Sequence, residues 1–273
     1  MASIGQTAGN PPATSPARTT TCAASLSPLD QRTSSSRSTV HAGAAIQRAA
    51  EEVRRQLLVA AADLLNVDVA LLERRDGAVH GGPRRLSAAH VVNAATSRFG
   101  GEIIGYGHVM PTDTETPNAF RMRTGYWEGS IGAAKVAVDP ETGEVEVVRY
   151  ITVGDTGRII NPQSAHGQEE GGVAMAVGTP LFESCDFESG AFANPSPIDY
   201  RLPTTLDVPS DLHSISFESG KGPGPFGAKG LGESSIITVA PAIANAVYWA
   251  TGRRIRELPL TPAKVWRALQ DDA

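Results

Sequence analysis

Residues 131–157 read IGAAKVAVDPETGEVEVVRYITVGDTG, and this stretch decides the fold. Apolar residues alternate with polar or small ones on both sides of DPETG, the pattern of two antiparallel strands joined by a tight turn. The next stretch abandons that period. Residues 160–184, INPQSAHGQEEGGVAMAVGTPLFES, hold a Gly/Ala-rich apolar run from Gly167 to about Leu181. It predicts a buried helix whose small side chains allow close approach. DLHSISFES (211–219) reads as a strand and GKGPGPFGAKGLGESS (220–235) as a glycine loop. SIITVAPAIANAVYWATG (235–252) reads as a helix ended by Gly252. RIRELPLTPAKVWRALQ (254–270) predicts a short strand and an amphipathic helix with Pro262 near its first turn. Asn194–Tyr200 and the RLPTTLDVP that follows read as extended chain crossing the surface.

Toward the N-terminus, AGAAIQRAAEEVRRQLLVAAADLL (42–65) places Ile46, Ala50, Val53, Leu57, Ala61 and Leu64 on one helical stripe. The Ser and Thr of SSSRST (34–39) precede it as capping residues do. VDVALLERRDGAVHG (67–81) predicts a strand pair turning at Asp76-Gly77, and SAAHVVNAATSRFG (87–100) a short helix started by Ser87. Helices and antiparallel hairpins mix without a βαβ rhythm or an internal repeat. The expected fold class is α+β, with mixed antiparallel sheets and helices.

Length allows one large domain or two of ordinary size in 273 residues. Aromatics are 5% against 28 Gly and 19 Pro, which favours small-residue packing and tight loops over a long bundle. Lys plus Arg is 24 and Asp plus Glu 29, a net charge of -5, which argues against a general nucleic-acid or anionic-membrane surface. Cys22 and Cys185 stand far apart, so neither a disulfide scaffold nor a cysteine metal site is evident. No apolar run has transmembrane length. Residues 1–27 lack any acidic residue and almost any large apolar one, and a low-complexity, disordered leader is expected there. They also lack the apolar core of a secretory signal.

Three segments could carry chemistry. The 220–235 loop could present backbone amides to an anion where a helix begins. GPGPFG formally matches GxGxxG, but prolines interrupt it and no helix follows at once, and GAKG lacks the order of a Walker A loop. Glu233 within GLGESS reads either as a carboxylate stabilising a helix start or as a general base. HGQEEGG (166–172) reads either as a helix start or as a cluster in which Gln168 hydrogen-bonds a heterocyclic ligand. Thr33, Ser34, Ser35, Ser36, Ser38 and Thr39 around Arg37 are either capping residues or a phosphate site. Asp155 reads as a turn-former that Arg158 could pair. No HExxH or HxxxH occurs, so a protein-ligated catalytic metal is not expected.

Taken in order, PLDQRTSSSRST, AAEEVRRQL, VGDTGRIINPQSAHGQEEGG, NPSPIDYRLPTTLDVP, GPFGAKGLGESS and PAIANAVYWATGRRIRELPLTP resemble the molybdenum-binding large subunit of the xanthine dehydrogenase and aldehyde oxidase family. The resemblance covers about residues 28–268. It implies the α+β molybdopterin-binding domain of molybdenum hydroxylases, over 28–273, with subdomains near 28–125 and 126–273. It implies a molybdopterin cofactor, often the cytosine dinucleotide, held by loops without a side-chain bond to the metal. Glu233 falls on the GxGE glutamate, the base that deprotonates Mo–OH. The oxygen then attacks an aldehyde or N-heterocycle carbon and hydride passes to Mo=S. Gln168 falls on the glutamine of GQxEG, Gly232 on the same cofactor-facing turn, and Lys229 on the lysine of KGxGE. Thr33, Ser36 and Ser38 fall on the hydroxyls at the cofactor's phosphate end.

By the same resemblance, electrons pass to [2Fe–2S] clusters and FAD on partner chains, an iron–sulfur subunit and an FAD subunit. The Gly-Gly-Phe loop and substrate-holding residues of such subunits have no counterpart here. The chain is therefore expected to be the C-terminal half of a large subunit, inactive without its N-terminal half. The alternative is a degenerate, non-catalytic assembly or binding module. The net charge and the absence of a targeting signal favour the cytoplasm.

Overall fold

The computed structural model describes residues 33–100, 102–109 and 127–270. The expected 1–27 leader, Cys22 and the expected boundary near residue 125 lie outside the described residues. The described residues fall into two compact units: 33–34 with 41–100 and 102–109, and 35–40 with 127–270.

In the first unit, α1 (Gly43–Leu65) and α2 (Ala88–Phe99) pack with the antiparallel sheet β1 (Leu72–Arg75), β2 (Ala78–Gly81), β3 (Arg84–Ser87). Asp76-Gly77 makes the β1–β2 turn, both residues at positive φ. Ser87 caps α2, its hydroxyl accepting from the His90 N–H at 3.1 Å. Leu57, Ala61 and Leu65 of α1 meet Leu72, Val79 and Val91 in the core. The expected α1 stripe holds for Leu57 and Ala61, but Ile46 is 69% exposed, because within this unit only the C-terminal half of α1 meets that core. The Ser/Thr run does not cap α1 as expected. A π-helical turn, Ser38–Ala42, intervenes, and Ala42 brings no side-chain oxygen to the first amides.

In the second unit, β4 (Ser130–Val138) and β5 (Val145–Asp155) form the expected hairpin, with a bulge between Lys135 and Val136. The Asp139 carboxylate accepts from the Glu141 and Thr142 amides, which closes the turn and holds its carboxyl below the usual range. β8 (Asp211–Phe217) joins β5 in parallel, giving the order β4-β5-β8. The long β5–β8 connection carries α3 (Pro162–Ala176), α4 (Gly178–Leu181), the small ribbon β6 (Phe187–Glu188) and β7 (Ala191–Phe192), and α5 (Pro197–Tyr200). After β8 and the glycine loop come α6 (Ser234–Thr251) and α7 (Pro262–Gln270). The expected α+β class is observed.

Parity on β4 decides which face α6 covers. Ser130, Gly132, Ala134, Val136 and Val138 alternate inward. Gly132 leaves room for the fully buried Tyr150 of β5, whose hydroxyl lies 3.0 Å from Thr238 Oγ1. Val147, Val173, Val177, Val239, Ile243, Val247, Leu260 and Val265 complete this core. Each such side chain contributes about 1.5–3 kcal/mol by leaving water.

Two expectations fail locally. The strand expected near residues 254–259 is absent, because Pro259 cannot donate to a ladder and the chain runs on to Leu260, whose N–H bonds Pro180 O at 2.6 Å. NPSPIDY is not wholly extended either. Ser196 caps the single turn of α5, where Pro197 occupies the first helical position.

Candidate functional site

The site is built where the C-terminal end of β5 meets the glycine loop and the start of α6. The loop from Gly220 folds onto itself. The amides of Gly222, Gly224, Gly227 and Ala228 donate to carbonyls of the same loop, and the Lys229 N–H donates to Thr156 O at 3.0 Å. The expectation of bare amides is therefore corrected for these residues: two prolines force a compact, self-bonded loop.

Lys229 fastens this loop to the strand. Its ammonium donates to Asp155 Oδ2 at 2.6 Å and to Trp127 O at 3.0 Å. Burial would raise the Asp155 carboxyl, but hydrogen bonds from Lys229, Ser219 and the Gly157 amide outweigh it and hold the carboxyl at about 2. Arg158 does not pair with Asp155 as expected. It reaches Glu218 at 3.2 Å, leaving Asp155 to the shorter contact with Lys229.

Ser36 fastens the loop from the other side. Its hydroxyl accepts from the Leu231 N–H at 3.1 Å and donates to Leu231 O at 3.3 Å. Ser35 and Ser36 take positive φ to turn the chain there. The single proton of the Ser36 hydroxyl is thus engaged by the loop. Ser38 is exposed at the start of the π-helical turn, while Thr33 belongs to the first unit.

Beyond Leu231 the backbone turns sharply. Gly232 has φ +114, a conformation that side chains oppose, and a Cβ there would stand 2.7 Å from Gln168 Nε2. Gln168, exposed on α3, therefore lies directly against the turn that delivers Glu233, the residue preceding the first turn of α6 and itself exposed. Gly172 permits this approach, since a side chain at that position would strike Ser235 Oγ. α3 and α6 meet through these small residues, which brings together Gln168, Gly232 and Glu233 from segments 65 residues apart.

Two further carboxylates were not among the expected site residues. Glu169 is 1% exposed and accepts from Ser234 Oγ at 3.3 Å. Burial pushes its carboxyl up, and the Ser234 and Ser235 hydroxyls offset this only in part. Glu128, just before β4, is pushed up to about 7 by burial, with the Ser234 hydroxyl and Lys229 opposing and Glu169 and Asp155 reinforcing. Each carried a signal. Glu128 shares the inward parity of Ser130 and Gly132, and Glu169 lies on the buried α3 stripe of Ala165, Gly172, Val173 and Ala176.

No group of three or more His, Cys, Asp or Glu suited to a metal ion exists among the described residues. No helix among them is long and apolar enough to cross a membrane. The arrangement does suit a cofactor held by loops. Gln168 offers an amide with both donors and an acceptor, Glu233 an exposed carboxylate beside it, and the absent Gly232 side chain keeps the turn open.

Comparison with known proteins places the chain in a family. A family described as "Molybdopterin cofactor-binding domain" matches residues 17–209. The putative xanthine dehydrogenase molybdenum-binding subunit XdhA of Escherichia coli K12 is 43% identical over 133 residues, covering 48% of this chain and 18% of the relative. The probable hypoxanthine oxidase XdhD of the same organism is 30% identical over 247 residues, covering 89% of this chain and 24% of the relative. Among solved structures, a copper- and molybdenum-containing CO dehydrogenase superposes with a TM-score of 0.75 at 24% identity, over 90% of this chain and 31% of that one. The last is a likeness of fold. The chain spans about a quarter or less of the length of these two relatives.

Proposed function

The chain belongs to the molybdopterin cofactor-binding domain family, and from that premise we propose that it supplies the Gln168 and Glu233 side of the active site of a molybdenum oxidoreductase. The observation that carries this reading is the contact of Gln168 with Gly232, one residue from Glu233. The proposed reaction is oxidative hydroxylation of an aldehyde or N-heterocycle. The bound molybdopterin cofactor, in mono- or cytosine dinucleotide form, supplies the oxygen-transfer and electron-accepting chemistry.

The residues of this chain divide the remaining work. Gln168 donates and accepts hydrogen bonds toward the cofactor and orients it. Glu233 takes the proton released in the reaction, its exposed carboxylate aimed by the Gly232 turn. Lys229 holds that turn through Asp155 and does not touch substrate. Ser36 binds Leu231 and shapes the loop, and the phosphate end of the cofactor is assigned to Thr33 and Ser38. Activity is proposed for this chain together with the sequence its relatives carry over the remaining part of their length, and with iron–sulfur and FAD partners that accept the electrons. A cytoplasmic location belongs to the same proposal.

The test is Glu233→Gln in the assembled enzyme. Molybdenum content should stay at the wild-type level while turnover falls by about 10²–10⁴-fold, the range of a positioned general base. Unchanged turnover removes Glu233 from the reaction.

A further inference from the structure

One residue after Glu233 the chain turns inward. Ser234 is 2% exposed, and its hydroxyl donates to Glu169 Oε1. The Glu128 carboxyl comes close enough for this hydroxyl to oppose the rise that burial causes in it. The point where a Gly154 side chain would begin lies 3.3 Å from Ser234 Oγ, 3.6 Å from Glu169 Oε1 and 3.7 Å from Glu128 Oε1. Three polar groups from α6, α3 and the β4 approach thus converge over a strand position that has no side chain. Glu169 Oε2, in a residue almost wholly buried, has no hydrogen-bond partner, and neither has Glu128 Oε1.

The pair is served by hydroxyls and not by a cation of its own. A serine hydroxyl has a single proton to give, and two carboxylates meet at it. With both ionised, two like charges stand together in a buried site, and the Ser235 hydroxyl, itself without a partner, adds only a neutral donor beside Glu169. Among the described residues, the elements around the pair bring no uncommitted cation. β5 presents Asp155, a third acid, and the glycine loop presents Lys229, whose ammonium is committed to Asp155 and Trp127 O. α6 offers Ser234 and Ser235, with Glu233 exposed outside. β4 offers the Ser130 hydroxyl, which donates to Ser234 O at 3.0 Å. On α3, His166 faces β8 and bonds the Ser214 hydroxyl, and Glu170 is exposed.

We propose that Glu128 and Glu169 hold one proton between them, completing a chain from Glu128 O–H to Ser234 Oγ–H to Glu169, and that this chain pins the first turn of α6 and so positions Glu233. The proton moves between carboxylate oxygens and no other bond changes. Burial pushes both carboxyls upward, as a shared proton requires. Only the consequence for Glu233 rests on its reading as the base. The proton site stands on this chain alone.

The experiment is a carboxyl carbon NMR titration of the full chain with labelled glutamate, in wild type, Glu128→Gln, Glu169→Gln and Glu233→Gln. Wild type should show a glutamate midpoint near pH 7. It should be lost in Glu128→Gln, moved down in Glu169→Gln, and kept in Glu233→Gln. Absence of such a midpoint in wild type overturns the proposal. So does its survival unmoved in Glu169→Gln, or its loss in Glu233→Gln, which assigns the proton to the outer carboxylate. A second measurement needs no variant. A carboxyl raised in the folded state binds its proton more tightly there, so stability should fall as pH rises from about 4.5 to about 7. A melting temperature that does not fall over that window also overturns it. Failure of Glu233 as a base would leave both measurements unchanged.

Discussion

Asp155 and Glu128 both approach the C-terminal end of β5, and the fold gives them opposite character. Asp155 meets an ammonium and a backbone amide and stays ionised down to about pH 2. Glu128 is pushed up to about 7 by burial, with the Ser234 hydroxyl opposing and Glu169 and Asp155 reinforcing. Burial raises both carboxyls, so the difference lies in donors. A carboxylate with a committed cation ties a loop to a strand, whereas a carboxylate pair with hydroxyls alone becomes a place to keep a proton. Lys229 marks the division, because its ammonium lies 2.6 Å from Asp155 and only weakly offsets the shift at Glu128.

The largest break in this contrast comes from removing that ammonium. Lys229→Met should leave Asp155 without its cation and cost about 2 kcal/mol in urea unfolding at neutral pH, below the fully buried range because Asp155 still sees solvent. The pH dependence identifies the cause. A carboxyl held below its unfolded value of 3.8 contributes stability above that value and loses it as pH falls toward about 2. The gap between wild type and Lys229→Met should therefore be full near pH 6 and narrow toward pH 2. An equal gap at both ends would show that Lys229 acts by packing. The shared proton has the opposite slope, so the two carboxylate sites load opposite limbs of one stability curve.

Gly232 joins the two arrangements, and replacing it should have the next effect. Gly232→Ala places a Cβ at φ +114 and against the Gln168 side chain. Strain of this kind costs about 1–2 kcal/mol, read as a lowered urea midpoint with an unchanged slope. Gln168→Ala in the same chain should return part of the loss by clearing the contact. No recovery would place the whole cost in the backbone.

The sequence made the scaffold legible wherever one period ran unbroken. The 131–157 hairpin, α2 with its Ser87 cap and α6 ended by Gly252 are where alternation, capping and glycine placed them. It was least legible where a tertiary partner overrode local preference. The Ser/Thr run resembles a cap, yet Ser36 turns to Leu231, 195 residues away, and a π-helical turn takes the capping place. HGQEEGG reads as a helix start, and nothing local tells that its Glu169 is buried once Gly172 lets α6 close over it. Gln168 and Glu233 could be joined in advance only by resemblance, because no spacing rule links a residue on one helix to the turn that begins another.

The smallest effect tests the rule that donor count decides which buried oxygen is at rest. Tyr150 is as buried as Glu169, and burial pushes its phenol up, but its hydroxyl has Thr238 Oγ1 at 3.0 Å. Thr238 also donates to Ser235 O at 2.9 Å, so Tyr150 is the one to supply the proton between them. Tyr150→Phe removes one hydrogen bond and one polar group together, and the Thr238 hydroxyl keeps its bond to Ser235 O. The expected loss is about 1 kcal/mol in urea unfolding, the net value of an ordinary buried hydrogen bond. It should be the same at pH 5 and pH 8, because neither partner changes charge there. A loss that grew across that interval would couple Tyr150 to the Glu128–Glu169 proton through Ser235, and would merge two networks that the hydrogen bonds keep apart.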